Sequence, residues 1–151
     1  MSYSIDTSAL LEAWARHYPL DVFPTLWQQI ENLISAGRLL AIDEVLRELE
    51  RKSDDLHDWA KQRAGMFVST DQAIMQRAGS VVNQFPSLAD PQSQKGKADP
   101  FVIALAMERN LTVVTAEHSK PTRPRIPDVC RQLQVPCVSL IELFRREGWS
   151  V

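Results

Sequence analysis

Short apolar runs alternate along this chain with longer stretches of helical periodicity. Tyr3-Ser4-Ile5, within residues 2–6, is the first run, and Leu39-Leu40-Ala41-Ile42 the second. Leu111 to Thr115 and Pro136-Cys137-Val138-Ser139 follow, and Met66-Phe67-Val68 is a further short stretch predicted to be extended. Between them the apolar residues fall at helical spacing. Leu10, Leu11 and Trp14 predict a helix from Ser8 to about His17, capped by Thr7 or Ser8. Phe23, Leu26, Trp27, Ile30, Leu33 and Ile34 form one stripe, with Asp21 as its expected cap, Pro24 in its first turn and Gly37 at its end. Asp43 is expected to cap DEVLRELERK, with Val45, Leu46 and Leu49 facing inward. Further helices are predicted from Ser53-Asp54-Asp55 through Trp59, after Thr70-Asp71, over ADPFVIALAMERN, from Asp128 to Leu133, and from Leu140 to Glu147.

Apolar strands without polar alternation, separated by helices, predict a parallel sheet covered on both faces. Residues 86–98 have the most loop-like composition and read as an exposed connection. A second, basic and proline-rich loop runs from Glu117 to Pro127. The 151 residues suit one domain, 1–151, with a single sizeable core. In a parallel sheet of this kind a ligand site is expected beyond the carboxyl ends of the strands, where the winding changes direction.

Composition narrows the function only by exclusion. Hydrophobic content is 44% and charged content 24%, ordinary for a globular chain. A net charge of −2 argues against bulk electrostatic capture of nucleic acid, so any such contact needs local cations or a metal. Cys130 and Cys137 match no zinc spacing and are expected to be buried thiols. No leader pattern and no long apolar run is present, which predicts a cytoplasmic protein without a membrane span.

The acidic residues change the picture. Asp6 ends the first strand, Asp99 opens a helix before Pro100, and Glu117 lies just past the third long strand. Asp43, Glu44 and Glu48 follow the second. In a parallel sheet all of these come from one edge, where converging carboxylates repel unless a cation offsets them. Hard oxygen ligands suit Mg²⁺ or Mn²⁺. Plainer readings stand beside this one. Asp99 and Asp43 are also good helix caps, Glu44 a helix-dipole partner, and Glu117 a solvated loop acid. Glu44 and Glu48 share a face at i, i+4, which destabilises the helix slightly unless one of them is offset.

The stretches IDTSALL, VLRELE, ADPFVIALAMERNLTVVTAE and PCVSLIELF, in that order, resemble the PIN domain, a metal-dependent ribonuclease fold found in many bacterial toxins of toxin–antitoxin pairs. The likeness is to a PIN-like branch whose function is undefined. It implies a three-layer α/β/α fold with a central, mainly parallel sheet, and a quartet of acids binding one or two divalent metals. Matched by position, that quartet is Asp6, Glu48, Asp99 and Glu117. The last departs from the family's usual Asp by one methylene. The resemblance also sets Thr7, Ser8 and Thr115 beside the metal, and it implies an RNA substrate, a cognate antitoxin and a homodimer.

Hydrolysis of RNA phosphodiester bonds is the implied reaction, with Mg²⁺ or Mn²⁺ carrying most of the catalysis. Lys95 and Lys97 precede Asp99, and Lys120, Arg123 and Arg125 follow Glu117; both clusters are candidates for phosphate contact. His118 is either a surface residue or a proton-transfer helper. Trp14, Trp27 and Trp59 read as core or interface rather than base-stacking residues. A non-catalytic PIN-like scaffold binding RNA or protein is the alternative. An aspartyl phosphatase would want an acid two residues after Asp6, where Ser8 stands.

Overall fold

A computed structural model of the protein describes residues 1–89, 98–120 and 122–150. The predicted strands form a five-stranded sheet: β1 (Tyr3–Ile5), β2 (Leu39–Ile42), β3 (Phe67–Val68), β4 (Thr112–Val114) and β5 (Cys137–Val138). Every pairing is parallel, and the spatial order is β3-β2-β1-β4-β5. The chain therefore winds outward from β1 in one direction, returns, and winds outward in the other. The reversal lies between β1 and β4, where Tyr3, Ser4 and Ile5 pair with Thr112, Val113 and Val114.

The helices are α1 (Thr7–Leu11), α2 (Pro24–Ser35), α3 (Asp43–Lys52), α4 (Asp54–Lys61), α5 (Gln72–Gln84), α6 (Asp99–Arg109), α7 (Ile126–Leu133) and α8 (Leu140–Glu147). Helix α6 lies against β1, β2 and β4, with α5 packed on it. Val102, Ile103, Ala104, Leu105 and Ala106 are all buried, as a helix sandwiched between a sheet and another helix requires. Ser4 faces α6 and donates its hydroxyl to the Val102 carbonyl at 2.9 Å. Tyr3 points the opposite way by strand alternation, and its hydroxyl donates to Glu147 of α8 at 2.6 Å. Helices thus cover both faces, giving the three-layer α/β/α arrangement.

Several expected details differ. Thr7 and Ser8 do not cap α1; Asp6 does, its Oδ1 accepting from Ala9 N at 2.8 Å. The helix then widens into a π-helical segment, Glu12–His17. Asp21 does not cap α2, which starts at Pro24 after Phe23 with no side-chain cap. Nor does Asp43 cap α3. Its carboxylate accepts instead from Thr70 N at 3.2 Å and Thr70 Oγ1 at 2.6 Å, tying α3 to the approach to α5. Asp128 sits inside the first turn of α7, which begins at Ile126. Gly37 ends α2 as predicted, with φ +72° and the Arg38 N–H donating back to the Leu33 carbonyl. Trp14, Trp27 and Trp59 pack on one another with ring centroids 5.1–5.9 Å apart, as an internal aromatic cluster. Cys130 is buried but Cys137 only half-buried, so the expectation holds for one of the two thiols.

Candidate metal centre

Strand β1 is buried throughout, so the residue at its carboxyl end emerges at the edge of the core. That residue is Asp6, 1% exposed, with its N–H bonded to the Val114 carbonyl of β4. It stands at the point where the winding of the sheet reverses. Three groups hold its carboxylate through four contacts. Ala9 N and Ser8 Oγ reach Oδ1 at 2.8 and 2.9 Å, while Thr115 Oγ1 and Ser8 Oγ reach Oδ2 at 2.6 and 2.8 Å. These hydroxyls are themselves held by the chain after β4: Ser8 Oγ accepts from Ala116 N at 3.1 Å, and Thr115 Oγ1 from Glu117 N at 3.0 Å. Backbone donors of β4's exit loop are thus relayed through two hydroxyls to one carboxylate.

Oxygens of Asp6, Asp99 and Glu117 all lie within 4.8 Å of one another. Asp99 is 9% exposed and opens α6 at its first residue. Burial pushes the Asp6 carboxyl up to about 7, against the opposing pull of its Thr115 and Ala9 hydrogen bonds. Asp99 is raised well above the ordinary range, first by burial and then by the charges of Glu117, Asp6 and Glu48. Desolvation and mutual repulsion both disfavour the charged forms of Asp6 and Asp99.

Glu48 stands apart from this set. It is 2% exposed, and its Oε1 accepts from Thr7 Oγ1 at 2.6 Å. Its Oε2 is buried with no hydrogen-bond partner among the described residues. An unpartnered buried carboxylate oxygen is costly unless something positive faces it. Glu44, one turn earlier, pairs with Arg47 on the surface and is absent from the cavity wall, so the charge of one member of the i, i+4 pair is offset, as the spacing predicts.

Glu48, Asp99 and Glu117 border an open cavity of about 230 Å³ whose walls also include Thr7 and Ser8, with Asp6 set behind them. Arg123 and Arg125 line it from the loop after β4. Lys52, one turn beyond Glu48, lines it too, and sequence reasoning missed it; the Glu48–Lys52 spacing was the available signal. Lys120 and the exposed His118 border a separate shallow hollow on the far side of Glu117. Lys95 and Lys97 lie outside the described residues.

Glu117 also reaches outward. Its Oε2 accepts from Ile126 N at 3.2 Å, and its Oε1 lies 3.9 Å from Arg125 Nη1. The extra methylene that separates Glu from Asp lets one side chain join the acid cluster and the start of α7. The sequence marks Asp128 only as the start of a helix. In the fold it accepts from Ser119 Oγ, from Lys120 N at 3.0 Å and from Arg125 N at 2.9 Å. Those bonds hold its carboxyl down at about 2. An acid at the third position of a helix preceded by Ile-Pro was the signal for such a clasp.

The donor set fits a hard divalent cation. All candidate ligands are carboxylate oxygens, three converge, two are buried with raised pKa values, and Glu48 leaves an oxygen unsatisfied nearby.

Fold and site together define an α/β/α domain with an acid-lined cavity where a parallel sheet reverses its winding. One solved structure with this fold is the crystal structure of VapBC2 from Rickettsia felis bound to a DNA fragment from their promoter. It matches with a TM-score of 0.54 and 13% identity, over 92% of this chain and 98% of that one. At that identity the likeness is one of fold. The chain belongs to the family described as "Domain of unknown function (DUF4411)", whose model matches residues 3–151. A comparison with curated proteins gives no match. Among the described residues, no helix is long and apolar enough to cross a membrane.

Proposed function

We propose that this chain is a PIN-type, Mg²⁺- or Mn²⁺-dependent endoribonuclease of the cytoplasm, the toxin of a toxin–antitoxin pair. One observation carries the reading: oxygens of Asp6, Asp99 and Glu117 lie within 4.8 Å of one another at the reversal of the sheet. Asp6, Asp99 and Glu117 would hold the cation, and Glu48 would add a fourth negative charge. A bound divalent ion supplies Lewis acidity toward a phosphate oxygen and activates water for attack.

The chain's own residues supply orientation. Ser8, Thr115 and the Ala9 N–H fix the Asp6 carboxylate in one pose. Thr7 fixes Glu48 so that its free Oε2 is the available acceptor. Arg123 and Arg125 on the cavity wall, and Lys120 beside them, would offset the charge of an incoming phosphodiester, with Lys95 and Lys97 proposed for the same role. A cognate antitoxin and a second copy of the chain are the protein partners in this reading. The fold likeness to VapBC2 supports the first.

The outward contacts of Glu117 also allow a second reading, a non-catalytic scaffold, in which this carboxylate serves only to anchor the start of α7. Incubation of a mixed RNA pool with Mn²⁺ or Mg²⁺ separates the two. Cleavage by the parent is expected. In Asp6→Asn/Asp99→Asn it should fall by more than the roughly 10–100-fold that outer partners of metal ligands are worth. Equal cleavage by both would mean a contaminating nuclease. No cleavage, together with no calorimetric Mn²⁺ binding, would establish the scaffold.

A further inference from the structure

The loop between β4 and α7 starts at Glu117 and carries Lys120, Arg123 and Arg125. Its described residues form no helix or strand, and side chains add to backbone bonds such as that from Arg123 N to the Lys120 carbonyl at 3.0 Å. Asp128 does this from the first turn of α7. Its Oδ1 accepts from Ser119 Oγ, and its Oδ2 accepts from Lys120 N at 3.0 Å and Arg125 N at 2.9 Å. The donors come from both ends of the loop, which is thereby closed onto the helix. Asp128 is only 7% exposed, so these bonds are shielded from competing water.

The next N–H along the chain, that of Ile126, is one of the orphan donors of a helix start, and it donates to Glu117 Oε2 at 3.2 Å. The place of that donor is set by the turn that Asp128 closes. Glu117 is thus held at one oxygen by the helix start to which Asp128 ties the loop. We propose that Asp128 is a positioning residue for the metal centre: it clasps the 119–125 loop to α7 and so holds the Glu117 carboxylate toward Asp6 and Asp99. This rests on the proposed cation site. Asp128 itself belongs to neither the three-acid cluster nor the cavity wall. It acts as an acceptor of three hydrogen bonds rather than as a charge facing the cation.

The distinction makes the role testable. An Asn at this position keeps an amide oxygen for the two backbone N–H groups and offers Ser119 a donor in exchange. Mn²⁺ affinity is measured by calorimetry on the whole chain for the parent, Asp128→Ala, Asp128→Asn, Glu117→Gln and Asp128→Ala/Glu117→Gln. Asp128→Ala should weaken binding about tenfold, the scale of a lost outer partner. Asp128→Asn should restore affinity to near the parent. The double variant should bind no more weakly than Glu117→Gln alone, because both changes act on one carboxylate.

Additive losses in the double variant, or an Asp128→Asn as weak as Asp128→Ala, would overturn the proposal. Should Asp128→Ala fail to fold, Ser119→Ala removes one of the three bonds and should give a smaller, equally non-additive loss. Amide hydrogen exchange supplies a readout that needs no metal. Loss of protection at Lys120, Arg125 and Ile126 together in Asp128→Ala is expected, and unchanged protection at Ile126 would refute the clasp. A parent chain that binds no Mn²⁺ would refute the cation reading, and positioning for a metal with it; the exchange data would then report on the clasp alone.

Discussion

At the residue scale, Asp6 serves as helix cap and as candidate cation ligand at once. A cap needs one acceptor oxygen, and Ala9 N takes Oδ1. The second oxygen has Ser8 and Thr115 against it, and the carboxylate offers an oxygen to the cluster with Asp99 and Glu117. The cost of this arrangement shows in its titration. An unfolded aspartate ionises near pH 4, whereas burial delays ionisation of Asp6 to about pH 7. Between those values the folded chain binds a proton that the unfolded chain has released. Metal-free stability should therefore fall as pH rises from about 4 through about 7, by about 1.4 kcal/mol for each pH unit of displacement at most. Thermal unfolding in chelator at stepped pH should show that decline, steeper than in Asp6→Asn. A metal-free stability that rises over this window would contradict the buried, repelling cluster. The carboxylates of Asp21, Asp43 and Asp128 show why such roles are hard to read from a sequence. An acid ahead of an apolar stripe takes whichever donor the fold delivers, and for Asp43 that donor is Thr70, far along the chain.

At the element scale, α6 joins core to site. Its length is apolar on nearly every side, and its first residue is Asp99, so the packing of Val102 to Ala106 sets where that carboxylate stands. Leu105 is fully buried. Leu105→Ala should cost about 2–5 kcal/mol in urea unfolding, through lost burial and the cavity left behind. The short strands and the helical stripes were legible because hydrophobic spacing follows from local geometry. The π-helical stretch Glu12–His17 was not. It places Trp14 against Trp27 and Trp59, and that demand comes from partners in other elements. Which of Glu44 and Glu48 turns inward was likewise open until α3 was docked, since both occupy the same helix and the elements it packs on, α1 and α4 as well as the sheet, decide its buried side.

At the scale of the whole molecule, the sheet order brings residues 6, 48, 99 and 117 to one end of the domain. A cation that binds only the folded cluster must stabilise the fold by mass action. With Mn²⁺ at about 100 times its dissociation constant, the gain is about 2.7 kcal/mol, or about 5–10 °C in melting temperature for a chain of this size. Scanning calorimetry should find that rise in the parent and little of it in Asp6→Asn/Asp99→Asn. An equal rise in both would place the bound ion elsewhere. The sequence by itself determined the fold class, the sheet edge on which the acids gather and the oxygen chemistry of the candidate site. These follow from periodicity, from the order of elements and from residue type. Only the tertiary structure decided the rest: that Asp6 is held by hydroxyls on two strand exits, that Glu48 reaches the site edge through Thr7, and that Asp128 clasps the loop beside Glu117. A hydrogen bond between residues far apart in the chain depends on angles and distances that no local pattern encodes.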